Sequence, residues 1–313
     1  MKNVYNVYFG PEKNVPSWHW VGKDIAENFP RQINVKYFKK IEEINNDSIV
    51  FWIKNPLSSE KVNFVRNKNL KVIYFPIDTY NNEAEIKRDQ EFIGKCKLIV
   101  LHSENMKDFF NKSNIKYVDH YNKFGIDGNL RKPNGEFLWI GGYQYFPYIY
   151  QYLLESKNKL QINILSDYKC ESAVKAANKL SEKLKLNIDF SNIHNFKDLK
   201  IFEWNESKQK ELLLSCEGAF DYKHVDEFNQ KYKPPTKIQK YISSFIPTAV
   251  NKQSFSYSYM KRVGLDMCDL TQIDILKSKK YKDEIRRFGE GISCSLTKEA
   301  ITKKYMEFLE WVE

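Results

Sequence analysis

Cysteine is sparse and unpaired in this chain. Cys96, Cys170, Cys216, Cys268 and Cys294 are scattered through 313 residues, their number is odd, and no Cys-x-x-Cys pair occurs. A disulfide framework is thereby excluded, and buried, reduced thiols are expected. Long apolar runs are missing too. None follows Met1-Lys2 and none approaches the length that spans a bilayer, so a cytoplasmic location is expected. The absence of a Gly-x-x-x-x-Gly-Lys-Ser/Thr loop removes P-loop kinases and ATPases. No His/Cys cluster has metal-ligand spacing, no Gly-x-Ser-x-Gly elbow suggests a hydrolase, and internal repeats are not evident.

What is present argues for a folded chain of two ordinary domains. Hydrophobic residues make up 42% and aromatics 15%, which excludes disorder, and the length supports two separate cores. The net charge is +10, carried mostly by lysine in a sequence also rich in asparagine and isoleucine. That is the compositional bias of a low-GC genome, so a solvated lysine surface is the simpler account of part of the charge. An anionic partner such as a diphosphate, an acidic lipid or DNA would still be drawn to it.

Strand and helix patterns alternate through the first half. Apolar runs predict strands at Val4–Phe9, Ile33–Phe38, Ser48–Ile53, Leu70–Phe75, Leu98–Leu101 and Ile115–Val118. Helical spacing carries Trp20, Val21, Ile25 and Phe29, and recurs at Ser59–Arg66, Ala84–Ile93 and Glu104–Asn111. Such alternation implies a parallel sheet covered on both faces, a Rossmann-like α/β domain. Ligands of these sheets bind beyond the C-terminal strand ends. Those ends supply Gly10, Pro11, Ser17 and His19, then Lys54 and Asn55, then Asp78, then His102 and Ser103. Each has a local structural explanation, such as a turn, a cap or a core histidine. Together they bring an acid, an imidazole and a lysine to one rim. From Asp119 to Gly135 the periodicity stops, and a linker with its boundary near Gly125 is expected.

Phe137–Ile140 opens a second sheet and runs straight into Gly141-Gly142, where backbone amides can approach a phosphate closely. The run Tyr143, Tyr145, Phe146, Tyr148, Tyr150, Tyr152 reads chiefly as a partly buried helix, with Tyr143 and Tyr145 near enough to the glycines to touch a ligand. Further strands are expected at Ile162–Leu165, Ile188–Phe190, Ile201–Trp204, Gly218–Tyr222 and Thr248–Val250. Helices are expected at Glu171–Leu184, Ser254–Arg262, Gln272–Phe288 and Lys298–Glu313. Between them, Pro234-Pro235 precede Thr236 and a helical spacing of Ile238, Tyr241, Ile242 and Phe245, closed by Pro247. Lys231, Lys233 and Lys237 bracket the positive end of that helix, an arrangement suited to phosphate or to an ordinary lysine-rich surface.

The string Pro-Thr-Lys-x-x-x-Tyr-x-x-Ser-x-x-Pro from Pro235 to Pro247 resembles the donor-binding helix of GT-B-fold glycosyltransferases. It departs from that pattern twice: Lys240 stands where a ribose-binding glutamate is usual, and Phe245 replaces a glycine. The resemblance implies two Rossmann-like domains facing each other across a cleft. Residues 1–125 would form the acceptor domain and 126–297 the nucleotide-sugar-binding domain, with 298–313 a helix returning to the first. It implies transfer of a hexosyl or related group from a nucleotide-sugar to a hydroxyl acceptor, a surface glycan or glycolipid, by an enzyme in the cytoplasm or at the inner membrane face. Gly141, Gly142, Tyr143, Trp204, Lys231, Lys233, Thr236 and Lys237 would bind the donor, Phe202 sharing the base-flanking role with Trp204. Ser17, His19 and Lys54 would meet the acceptor, and Asp78 and His102 are the candidate bases, Asp78 preferred. No Asp-x-Asp triplet occurs, so no metal and no cofactor beyond the sugar donor is expected. Two rivals remain: transfer onto a hydroxylated DNA base, as in phage enzymes of this fold, and a non-catalytic sugar or nucleotide binder.

Overall fold

The computed structural model describes residues 6–156, 160–197, 199–224 and 226–312. Val4 and Tyr5 of the expected first strand, and Glu313 of the expected last helix, lie outside them. Packing divides the chain into two units. One comprises Met1–Lys123, Asp226–Thr236 and Cys294–Glu313; the other comprises Phe124–Val225 and Lys237–Ser293.

The first unit is built on the strands β1 (Asn6–Gly10), β2 (Asn34–Tyr37), β3 (Ile49–Ile53), β4 (Lys71–Phe75), β5 (Leu98–Leu101) and β6 (Ile115–Tyr117). They form a parallel sheet of order β2-β1-β3-β4-β5-β6. β3 reads Ile-Val-Phe-Trp-Ile and is buried throughout, because it lies between β1 and β4 with both faces covered. Successive side chains point to opposite faces. Phe9, Phe51 and Phe75 therefore share one face, which the helix Lys298–Glu310 covers. Tyr305 of that helix stacks 5.8 Å from Phe51 and 4.9 Å from Phe75. Burying an aromatic ring of this kind contributes roughly 1.5–3 kcal/mol, enough to hold the last helix on this sheet. Val50, Trp52 and Tyr74 point the other way, onto Val62 and Phe92.

Local departures have local causes. The helix expected over Ala84–Ile93 is two, Glu83–Arg88 and Gln90–Lys95, with Asp89 out of helical geometry and its carboxylate accepting from Arg88. The segment Asp226–Thr236, expected inside the second domain, packs with the first unit. Phe228 and Tyr232 each stand 5.1 Å from Phe109, and Asn229 donates to Asn81 Oδ1 at 3.2 Å. Three thiols are buried, but Cys170 and Cys294 are exposed, so burial does not extend to them; all are free.

The second unit carries β7 (Phe137–Ile140), β8 (Ile162–Ser166), β9 (Lys200–Glu203), β10 (Gly218–Asp221), β11 (Thr248–Val250) and β12 (Cys268–Asp269), parallel and ordered β12-β11-β10-β7-β8-β9. β12 has two residues and no visible apolar run, and was not expected. Ile188–Phe190 forms no strand: Phe190 donates its backbone N–H to Asn178 Oδ1 at 2.7 Å while its ring packs against Phe146 and Phe196. The stretch Gln272–Phe288 is divided between a 3-10 segment, Leu270–Lys277, and the helix Lys279–Ser293.

The helix Thr236–Ser243 ends where Phe245 takes a left-handed backbone at φ 55°. Phe245 N–H reaches Ile242 O and Ile246 N–H reaches Tyr241 O, both at 2.9 Å, closing the helix as a glycine normally would. A phenylalanine there carries backbone strain of order 1 kcal/mol. Its ring recovers contact against Gly128 and Gly289, where any Cβ would collide with it, and beneath the Arg286 guanidinium at 5.6 Å. Among the described residues no helix is long and apolar enough to cross a membrane.

Candidate active site

In the first unit, the loops after β4 and β5 and the segment from Phe228 to Pro234 enclose a cavity of about 50 Å³. Asp78, His102, Ser103 and Lys233 line it, beside Tyr80, Phe228 and Tyr232. Asp78 is exposed and left-handed at φ 45°; Lys54, at the end of β3, is left-handed at φ 64°. Aspartate tolerates that conformation better than lysine does, so the rim at Lys54 is the more strained.

His102 Nδ1 lies 2.6 Å from Val118 O, which makes Nδ1 the protonated nitrogen and leaves the lone pair on Nε2. Nε2 is enclosed and has no hydrogen-bond partner among the described residues. Burial lowers the His102 pKa, opposed by the Val118 hydrogen bond and by Asp119 and Asp78. The His120 ring lies 3.9 Å away, and burial, then His102, hold its pKa well down. Both imidazoles are therefore neutral near pH 7.

In the second unit the strand order reverses between β7 and β10, and ligands of such sheets bind beyond the strand ends at that point. β7 ends in Gly141-Gly142. A Cβ at Gly141 would strike the Trp139 indole, whereas Gly142 has no neighbour nearer than 3.7 Å to such an atom. β10 ends in Asp221, 1% exposed, whose carboxylate meets Lys237 Nζ at 2.9 Å and Lys223 Nζ at 3.0 Å. Burial pushes its pKa up, but the two lysines prevail and hold it at about 2. Lys237 Nζ also stands 5.7 Å over the Trp139 ring. Lys240, on the same helix, is 9% exposed, and burial lowers its pKa to about 8 against the pull of Asp221. At the end of β9, Trp204 is 39% exposed, donates Nε1–H to Gln209, and meets the Phe124 ring edge at 5.9 Å.

The structure thus brings Asp78, His102 and Lys233 to one cavity, and groups Gly141, Gly142, Trp204 and Lys237 on the C-terminal strand ends of the second sheet. Lys231 is exposed, while Thr236 begins the helix with an enclosed Oγ1 that has no partner among the described residues. Lys231, Lys233 and Thr236 belong by packing to the first unit, and Lys237 to the second. His19 is bonded to Asn14 at 3.3 Å, and Ser17 Oγ is buried without a partner among the described residues. Neither lines the cavity.

Tyr143 is a core residue rather than a ligand contact. It is fully buried, its hydroxyl donating to Phe190 O at 2.9 Å, and its N–H is taken by Asp167 Oδ1 at 2.7 Å. Sequence reasoning passed over Asp221 and Lys223. The available signal was a carboxylate closing the apolar run Gly218–Phe220, the position where a doubly wound sheet presents its ligands. Among the described residues no group of three His, Cys, Asp or Glu side chains is placed to hold a metal ion.

No protein-family model matches the chain, and no curated protein sequence does. Solved structures share its fold. AviGT4, a glycosyltransferase involved in avilamycin A biosynthesis, aligns with a TM-score of 0.55 at 9% identity, over 98% of each chain. TarM aligns with a TM-score of 0.54 at 12% identity, over 86% of this chain and 55% of its own. The pneumococcal O-GlcNAc transferase GtfA, solved with UDP and GlcNAc, gives 0.52 at 9%, over 87% of this chain and 58% of its own. The chain spans little more than half the length of the last two. With two parallel six-stranded sheets in this order, it has the GT-B fold of these glycosyltransferases.

Proposed function

We propose that the protein is a glycosyltransferase that moves a sugar from a nucleotide-sugar donor to a hydroxyl acceptor without a metal ion. The observation that carries this is the cluster of Lys237, Lys223 and Lys240 about Asp221, beside Gly141-Gly142 at the β7–β10 switch point. Cations placed there, beside a glycine turn that lets a ligand approach the backbone, suit a diphosphate, and the exposed Trp204 suits a nucleotide base. The UDP and GlcNAc held by GtfA support the same class of donor for this chain.

Acceptor chemistry falls to the first unit. Asp78, exposed on the cavity rim, takes the acceptor proton as the hydroxyl oxygen bonds to the donor's anomeric carbon. The bond from that carbon to the phosphate oxygen breaks, and the nucleoside diphosphate leaves with the electron pair. Lysines stabilise the charge that a metal would otherwise meet. His102, neutral and enclosed, supports the rim, and Lys233 adds a positive charge to the same cavity. Lys54 offers an acceptor contact from the neighbouring strand end. The acceptor class is a surface glycan or glycolipid, met in the cytoplasm or at the inner membrane face.

The test pairs donor affinity by calorimetry with product formation, for Asp78→Asn and His102→Ala. Asp78→Asn lowers the rate by about 10²–10⁴-fold with donor affinity intact, and the parent rate persists in EDTA. Full rate in both variants would move the base elsewhere. Loss of donor binding would reverse the assignment of units to substrates, chelation that abolishes turnover would restore a metal, and a donor left intact by the parent would mean a binding protein.

A further inference from the structure

Lys240 lies three residues beyond Lys237 on the helix Thr236–Ser243, with 91% of its surface buried since only 9% is exposed. Among the described residues its carbonyl oxygen accepts from Ser243 and Ser244, and its ammonium has no hydrogen-bond or ion-pair partner. Asp221 is the acid whose field reaches it, but that carboxylate already meets Lys237 and Lys223. The Phe124 and Tyr241 rings each stand 5.9 Å from Lys240 Nζ, at the outer limit of a cation–π contact, and neither carries the negative charge that would balance the ammonium. A cation largely withdrawn from water without a counter-ion is costly, and the remedies are neutralisation or a ligand of opposite sign, which can reach it through the 9% of the residue that stays exposed. Burial does lower the proton affinity of this amine, to about 8, yet leaves it charged at neutral pH. An ammonium offers donors only, so it cannot accept a hydrogen bond from a sugar hydroxyl; an oxyanion fits it.

We propose that Lys240 is the inner cation of the donor site, contacting a phosphoryl oxyanion and selecting for diphosphate over less highly charged ligands. This rests on the donor reading above and deepens it. Lys237 and Lys223 stand toward the same strand end, and Gly142 leaves the adjoining backbone open, so a linked pair of phosphates meets cations along its length. Bound anion supplies the charge that Lys240 lacks, so ligand affinity and the stability of the unliganded protein are set against each other at this one residue.

The experiment titrates inorganic pyrophosphate into the parent protein, Lys240→Met and Lys240→Arg by calorimetry, and records unliganded melting temperatures. Sugar transfer by the parent is measured separately. Expected is a loss of pyrophosphate affinity of at least about tenfold in Lys240→Met, a melting temperature above the parent's, and retention of most affinity in Lys240→Arg. Equal pyrophosphate affinity in the parent and Lys240→Met overturns the proposal. A parent that transfers sugar but binds no pyrophosphate overturns it alone; a parent that does neither overturns the glycosyltransferase reading with it. Should Lys240→Met fail to fold, Lys240→Gln carries the same comparison.

Discussion

Asp221→Asn is the perturbation whose size the structure sets most directly. The substitution keeps the shape and removes the charge from a carboxylate that is 1% exposed and meets two lysines within 3.0 Å. Burial alone would raise its pKa, and the lysines hold it at about 2 against an ordinary 3.8. That depression corresponds to about 2 kcal/mol of stability, present above pH 3.8 and lost as pH falls through about 2. Breaking a buried pair from one side costs about 3–5 kcal/mol, because the remaining charge stays desolvated. The Lys223 side chain is 6% exposed, but Lys237 keeps 24% exposure and can rehydrate, which pulls the figure down. The expected loss is about 2–4 kcal/mol at pH 7. Urea unfolding measures it, and repeating the series near pH 3 should narrow the gap by about 1 kcal/mol, because there the unfolded parent chain takes up a proton that the folded one still refuses. A variant with the parent's midpoint at pH 7, or a deficit equally large at pH 3, refutes the reasoning.

The histidine pair predicts a slope on the acid side. His102 and His120 have pKa values depressed by burial, so the unfolded chain binds protons that the folded one refuses, and stability should fall as pH drops below 6.5. His120→Phe should flatten that slope in urea midpoints taken between about pH 5 and 7; an unchanged slope would place its origin elsewhere. Gly141→Ala should destabilise by about 1–3 kcal/mol, because its Cβ meets the Trp139 indole. Gly142→Ala, whose Cβ would make only ordinary contacts at 3.7–3.9 Å with Tyr145 and Gln144, should keep the parent's melting temperature, and calorimetry with a nucleoside diphosphate then reads how closely the ligand passes.

Much of the fold was legible because each signal was local. The buried run Ile49–Ile53 needed only five consecutive apolar residues to be read as a central strand, and the glycine pair needed only its place after Phe137–Ile140. The same locality explains the failures. Phe190 sits in an apolar run that suggests a strand, yet its backbone amide found Asn178, twelve residues away in sequence. Tyr143 adjoins the glycines and still turns into the core, because Phe190 O lies where its hydroxyl can reach it.

The sequence by itself determined the α/β class and the helix Thr236–Ser243 with lysine at its start. Periodicity, proline and glycine act within a few residues, so no tertiary knowledge was needed. Only the tertiary structure decided that Asp226–Thr236 packs on Phe109, that Phe245 can close a helix in place of glycine because Gly128 and Gly289 make room for its ring, and that Asp221, Lys223 and Lys237 share one charge cluster. Those outcomes depend on which strand lies beside which. Asp221 meets Lys223 close by in the chain but Lys237 from the helix Thr236–Ser243, sixteen residues on, a separation that no local pattern records.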